Sequence, residues 1–203
     1  LLTFVIAYFF GANGLGDYVL AIVVLKIFTL ISKLGLDTAS IKYIASYCAE
    51  KSYNGIVSFR KKALALILCT SIICSIIMYF GANVIAEFIG ANSEHIRITS
   101  FFIFPMSIFI FHYQNMRGLK EIGGYSFFFW MSQALFTLLA ILVLTIFSKD
   151  ENVPIYAYLI GLVVISLLSF FTFSYFLKNK KRSNQILIDD KLGDSISSIL
   201  KVS

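Results

Sequence analysis

The sequence predicts an all-α fold, a polytopic bundle of transmembrane helices, and three observations carry that prediction. Of 203 residues, 59% are hydrophobic and only 14% charged, with a mean hydropathy of +0.85. Soluble domains sit near roughly 45–50% apolar and about 25% charged. Apolar runs close to the ~20 residues that cross roughly 30 Å of hydrocarbon recur between short polar turns. Finally, Lys and Arg crowd into every second turn, the alternation that a chain threading back and forth through a bilayer acquires.

The elements follow in order. Leu1–Phe10 reads as the tail of a span, Gly11–Gly16 as a tight hairpin turn, and Asp17–Leu34 as the next span, with Asp17 placed to cap its start. Gly35 suits the left-handed conformation that closes a helix. Asp37 is then placed to cap an interfacial helix over 37–49, with Ile41, Ile44, Ala45 and Cys48 on one face and Lys42 and Ser46 off it. Lys51–Gly55 reads as a polar loop, and Arg60-Lys61-Lys62 as a basic collar before the span 63–80. A short amphipathic piece, Asn83–Phe88, leads to the span 97–116, which Pro105 is expected to kink. Spans over 125–147 and 155–177 complete the series, the second opened by Pro154, suited to a first helical turn.

The organisation predicted is therefore one transmembrane lobe over 1–177, followed by a polar linker over 178–203 with an amphipathic segment near 196–202. The chain opens on Leu1 within an apolar run that lacks the basic start of a signal peptide, and it reads as part of a longer transporter.

Thirteen Lys and Arg lie on one side of these spans: Lys42, Lys51, Arg60, Lys61, Lys62, Arg117, Lys120, Lys178, Lys180, Lys181, Arg182, Lys191 and Lys201. Two, Arg97 and Lys149, lie on the other. That bias predicts a multi-pass membrane protein with the N-terminus and the basic side cytoplasmic. The net charge of +6 is then a matter of topology and of anionic head groups, not of nucleic acid. Cys48, Cys69 and Cys74 read as small buried hydrophobes. No catalytic triad, phosphate-cradling loop or metal-ligand cluster stands out, so no enzyme, cofactor or metal is expected.

Ionisable and polar groups within spans are the candidate functional residues, because each costs energy to insert. Lys26 is central in its span, with Thr29 and Lys33 at i+3 and i+7. It reads as facing a water-filled cavity where it holds an anionic phosphate, against the alternative of a buried ion pair. Lys33 either joins it or snorkels to the head groups. Ser126, Trp130, Gln133 and Thr137 form one helical stripe, suited to a sugar or equally to helix packing. His112, near Gln114, Asn115 and Arg117, is a candidate proton-coupling site or a hydrogen-bonded packing residue.

Three motifs in order carry a resemblance. Gly14-Leu15-Gly16-Asp17-Tyr18-Val19-Leu20-Ala21, Leu34-Gly35-Leu36-Asp37-Thr38-Ala39-Ser40-Ile41-Lys42-Tyr43-Ile44-Ala45 and Arg117-Gly118-Leu119-Lys120 resemble the polysaccharide-export flippases. These are the O-antigen and capsule branch of the MOP superfamily, which also holds the MATE drug exporters. The resemblance implies the first lobe of a MATE-like two-lobe transporter. Its cargo would be an undecaprenyl-diphosphate-linked oligosaccharide, moved by alternating access. Partners implied are that lipid-linked sugar, membrane lipid, and the polymerase and glycosyltransferases of the same pathway. The proposed cavity set is Lys26, Thr29, Lys33, Arg117, Trp130, Gln133 and Thr137, with His112 for coupling. A cation-coupled drug exporter is the main alternative, but it would more naturally carry intramembrane acids. A membrane polymerase or glycosyltransferase would need larger outer loops.

Overall fold

The computed structural model describes residues 2–148, 150 and 152–200, with side chains as far as Ser183. The described residues form an all-α bundle in which α1 is Leu2–Ser32, α2 Leu36–Ala49, α3 Tyr53–Phe80, α4 Ala82–Ile89 and α5 Ser93–Ser100. There follow α6 Ile103–Gly118, α7 Ile122–Ser126, a π-helical turn Phe127–Ser132, α8 Gln133–Phe147 and α9 Val153–Leu200. Lys149, which the charge count includes, lies outside the described residues, as does Lys201.

Within α1 the backbone leaves helical geometry at Gly11, with φ 71° and ψ −173°, a conformation open to a residue without Cβ. Neighbours reveal the consequence. Leu2 lies with Trp130, Ala134 and Leu138, Phe10 with Thr145 and Ile146 at the far end of α8, and Lys33 back beside Gln133. The two arms of α1 are antiparallel. The reversal is tighter than a turn over Gly11–Gly16, because Ala12–Gly16 are already helical. Asp17 accordingly lies inside a helix, with no free N-terminus to cap. Its carboxylate instead stands 3.8 Å from His95 Nδ1 of α5.

Among the described residues four helices are long and apolar enough, by length and composition, to cross a membrane, with the two arms of α1 taken together: Leu2–Ser32, Tyr53–Phe80, Ile122–Phe147 and Val153–Ser183. The pair α5 and α6 makes a fifth if taken as one span bent by 53°. That bend falls at Phe101-Phe102, not at Pro105. Pro105 sits in the first turn of α6, where its missing N–H leaves no intrahelical bond unmade. The bend is thus a helix stop and restart rather than a proline kink.

The polar loop read over Lys51–Gly55 is shorter than expected, and the basic collar lies within a helix. Helix α3 begins at Tyr53, so Arg60 lies two turns inside it. The polar segment from 178 continues α9 as backbone helix to Leu200. The amphipathic segment near 196–202 lies partly outside the described residues.

At the centre stands α6, which touches α1, α2, α3 and α9. Ile103, Met106, Phe109, Phe111, Tyr113 and Met116 are buried on several of its sides, as a central helix requires. The reentry of α2 onto α6 depends on Gly118: a Cβ there would stand 3.1 Å from the Ile41 carbonyl oxygen and from Ile44 Cβ. Many large apolar side chains, among them Phe4, Ile73, Leu142 and Phe171, point outward. That is normal for a bundle whose solvent is hydrocarbon. Cys74 is buried as expected but Cys69 is exposed among those outward residues. Cys48 is half-buried; burial pushes its thiol up, opposed by Lys180 and Lys120.

Candidate functional site

A cavity of about 410 Å³ opens on one face of the bundle, lined by Lys26, Leu30 and Lys33 of α1. Met106, Phe109, Ile110 and Tyr113 of α6, Phe128 and Phe129 of the π-turn, Gln133 of α8 and Tyr158 of α9 complete it. Two cations, an amide and two phenols stand in an aromatic bowl, and no carboxylate lines it among the described residues. The Tyr158 hydroxyl is buried without a hydrogen-bond partner, a group prepared to bond something inside the cavity.

Lys26 is exposed within this face. Lys33, two turns on and ~10.5 Å along the axis, is only 6% exposed. It does not snorkel. Its Nζ donates to Asp37 Oδ2 at 2.7 Å. Asp37 therefore does not cap α2: it lies in the first turn, and Gly35 at φ 73° precedes that helix with no side-chain cap. An acid one helical turn from a buried amine is worth more as its counter-ion than as a cap, because an unpaired buried charge is costly.

Five of the other expected residues, Thr29, Thr137, Trp130, Arg117 and His112, lie outside this lining. Thr29 is fully buried and donates to the Leu25 carbonyl of its own helix, on the side of α1 where Ser32 Oγ meets Ser107 Oγ of α6 at 2.7 Å. Thr137 is buried against α9, its backbone N facing Gly161. Trp130 is 75% exposed and shares a groove with Leu2 and Leu138, outside the cavity. The stripe drawn through Ser126, Trp130, Gln133 and Thr137 assumes unbroken α-helix. The π-turn over Phe127–Ser132 inserts an extra residue per turn and rotates Trp130 off it. Only Gln133 reaches the cavity, within 3.4 Å of Thr137 Oγ1. Substituting Gln133 with alanine is expected to weaken binding of a sugar-diphosphate probe severalfold, whereas Trp130→Ala leaves it unchanged; titration of both variants with one fluorescent probe checks this.

Arg117 is exposed at the end of an aromatic relay rather than in the cavity wall. Its guanidinium lies 5.6 Å over Tyr125, Tyr125 stacks on Phe129 at 5.4 Å, and Phe129 lines the cavity. It can draw an anion towards the mouth without lining the interior.

His112 is fully buried on the opposite side of α6. Its Nε2 lies 3.3 Å from an Arg60 terminal nitrogen, and the other donates to Ser174 Oγ at 3.2 Å. The guanidinium is held 4.6 Å from the Phe170 ring and 4.9 Å from that of Phe173. Arg60 thus cross-links α3, α6 and α9. Sequence reasoning passed it over as one of three collar residues, though Lys61 and Lys62 do point outward. At the other end of the bundle, buried His95 meets Asn152 Oδ1 through Nε2. Lys180 donates to the Leu119 carbonyl and lies 3.3 Å from Glu121.

Several apolar helices of spanning length, packed side by side, mark a multi-pass membrane protein. The model of the family described as polysaccharide biosynthesis protein matches residues 1–198, and the chain belongs to that family, which includes the O-antigen flippases. No curated protein and no solved structure matches the chain.

Proposed function

We propose that the protein is a flippase that carries an undecaprenyl-diphosphate-linked oligosaccharide across the cytoplasmic membrane by alternating access. The observation that carries the reading is the cavity itself: Lys26, Lys33 and Gln133 face one bowl with Tyr113 and Tyr158, and among the described residues no acid lines it. Such a surface suits a polar head that bears a diphosphate. The amines meet phosphate oxygens, the amide and phenols bond hydroxyls, and aromatic faces cover the apolar sides of a sugar. The prenyl chain stays in lipid, where it loses nothing. Moving the head through hydrocarbon without such a surface would cost far more than thermal energy supplies. A cationic drug would meet two lysines in this lining, and Asp37, the acid beside it, is already paired with Lys33, which disfavours an exporter of that type.

The thirteen-to-two charge bias supports placing the Arg117 and Lys180 end in the cytoplasm of an inner membrane. In this orientation Lys33 lies towards the cytoplasmic side of the cavity and Lys26 nearer its middle.

The test uses the full-length protein in proteoliposomes. Flipping of a fluorescent prenyl-diphosphate oligosaccharide is followed beside extrusion of a cationic dye. Lys26→Ala is expected to slow flipping roughly tenfold or more, about 1.4 kcal/mol. Dye extrusion without sugar flipping would replace the flippase with a drug exporter.

A further inference from the structure

The carboxylate of Asp37 occupies a place that an arriving anion would want. It sits 2.7 Å from Lys33 Nζ, and Lys33 is one of only two cations in the described cavity lining. Lys26, the other, is exposed. The pair bridges an unusual joint. Between α1 and α2 the chain passes through Leu34 at φ 49° and Gly35 at φ 73°. Two consecutive left-handed residues, one of them a leucine, form a strained connection that persists only while its surroundings hold it. Lys33 stands immediately before that joint and Asp37 two residues after it, so their ion pair is a clasp across it.

We propose that Asp37 is the resident counter-ion of the cavity, displaced from Lys33 when an anionic diphosphate binds between Lys26 and Lys33, and that its release unclasps α2 from the end of α1. The inference rests on the flippase reading for the choice of ligand. Geometry supports a two-pronged anion site. The two lysine Cα atoms are ~10.5 Å apart along one face, a gap that two extended side chains converge across to reach a single diphosphate. Energetics gives the exchange its sign. Without Asp37, Lys33 would be a cation nearly sealed from solvent, which is unfavourable; with it, Lys33 is neutralised at rest while Lys26 is not, and one anion can be exchanged for another. The diphosphate brings more negative charge than one carboxylate and is pulled by Lys26 as well. The freed Asp37 remains on α2, which packs on α6 through the close approach at Gly118, so the exchange reaches the central helix.

The experiment measures affinity of the full-length protein in nanodiscs for geranylgeranyl diphosphate, together with amide hydrogen exchange over residues 33–40. In the wild type, ligand is expected to speed exchange in that segment. Asp37→Asn is expected to bind the probe roughly tenfold tighter and to show fast exchange without ligand. Adding Lys33→Gln to that variant removes the gain in affinity. The exchange of positions, Lys33→Asp with Asp37→Lys, keeps a clasp and guards against misfolding; it is expected to hold exchange slow but bind the probe weakly, because the cation has left the cavity wall. Binding by the wild type with no tightening in Asp37→Asn overturns the counter-ion role while leaving the flippase reading intact. Absence of binding in both wild type and Asp37→Asn overturns both. Binding by Asp37→Asn alone supports a site that Asp37 holds closed. Full affinity in the exchanged pair would reduce the clasp to a structural contact and overturn the proposal.

Discussion

Replacing Arg60 with alanine is expected to destabilise the bundle by about 2–3 kcal/mol and lower its Tm by several degrees in detergent. The guanidinium is the only group among those described that bonds α3, α6 and α9 together. Two cation–π contacts, with Phe170 and Phe173, contribute ~0.5–2 kcal/mol each where partly desolvated. Removing the side chain also strands His112, whose Nδ1 already lacks a partner, so that both ring nitrogens of a fully buried residue go unpaired at ~1–3 kcal/mol. Against these losses stands relief from holding a charge in a half-buried site, which is why the net figure is below the sum. Two comparators separate the contributions. Arg60→Lys is expected to recover little, because an ammonium cannot reach Ser174 and His112 from one planar fork. Arg60→Met fills the volume without charge and is expected to be milder than alanine. Thermal unfolding of the purified full-length variants decides it. A methionine variant as stable as the wild type would mean that the cation is retained for a purpose other than stability.

Arg60 also shows what the sequence reveals and what it hides. Hydropathy identifies the apolar runs because bilayer thickness demands length, and glycines at 11 and 35 mark breaks between helices because left-handed backbone favours them. Those signals are local. Arg60 was legible only as a member of a basic triplet. Its direction depends on where α3 starts, and that start lies seven residues upstream of Arg60, in a polar stretch that hydropathy assigns to a loop. Helical periodicity then turns Arg60 inward while Lys61 and Lys62 face out.

The site divides on the same line. Lys26 and Lys33 share a cavity because seven residues bring an α-helix back to the same face, and nothing intervenes in this part of α1. The same arithmetic fails across Phe127–Ser132, since a π-turn leaves no mark in composition. Four consecutive aromatic residues, Phe127 to Trp130, are the nearest signal, crowding side chains where the backbone widens. Asp37 could have been recognised as a partner of Lys33 from its i+4 spacing; its attraction as a cap hid that. His95 and Asn152 belong to distant segments, and their meeting is a tertiary event.

Substituting Gly161 with leucine is expected to prevent α8 and α9 from packing and to abolish a folded, monodisperse protein in detergent. The two helices meet along most of their shared length, and at Gly161 they meet backbone to backbone. A Cβ there would stand 3.1 Å from the Thr137 nitrogen and 3.2 Å from the Phe136 carbonyl carbon. Neither atom is the end of a flexible side chain, so the helices themselves must separate. Small residues at such crossings give membrane helices their dispersion contact, the main attraction left when lipid is as apolar as the interface. Gly161→Ala is expected to cost ~1–3 kcal/mol, the usual range for an added methyl in a packed contact, and leucine well beyond that. Gly123 is the control: it has an ordinary φ and nothing within 4 Å of its imagined Cβ, so Gly123→Ala is expected to be harmless or slightly stabilising. Size-exclusion profiles and thermal unfolding of the three full-length variants read the difference. The cavity gives the prediction functional reach, since Gln133 of α8 and Tyr158 of α9 form adjacent parts of its wall. An alanine at 161 that leaves the protein folded but shifts α8 is therefore expected to weaken diphosphate binding as well. If Gly161→Leu instead folds with normal stability, the α8–α9 crossing must relax by a sliding motion, and the cavity wall would be more adaptable than this close contact allows.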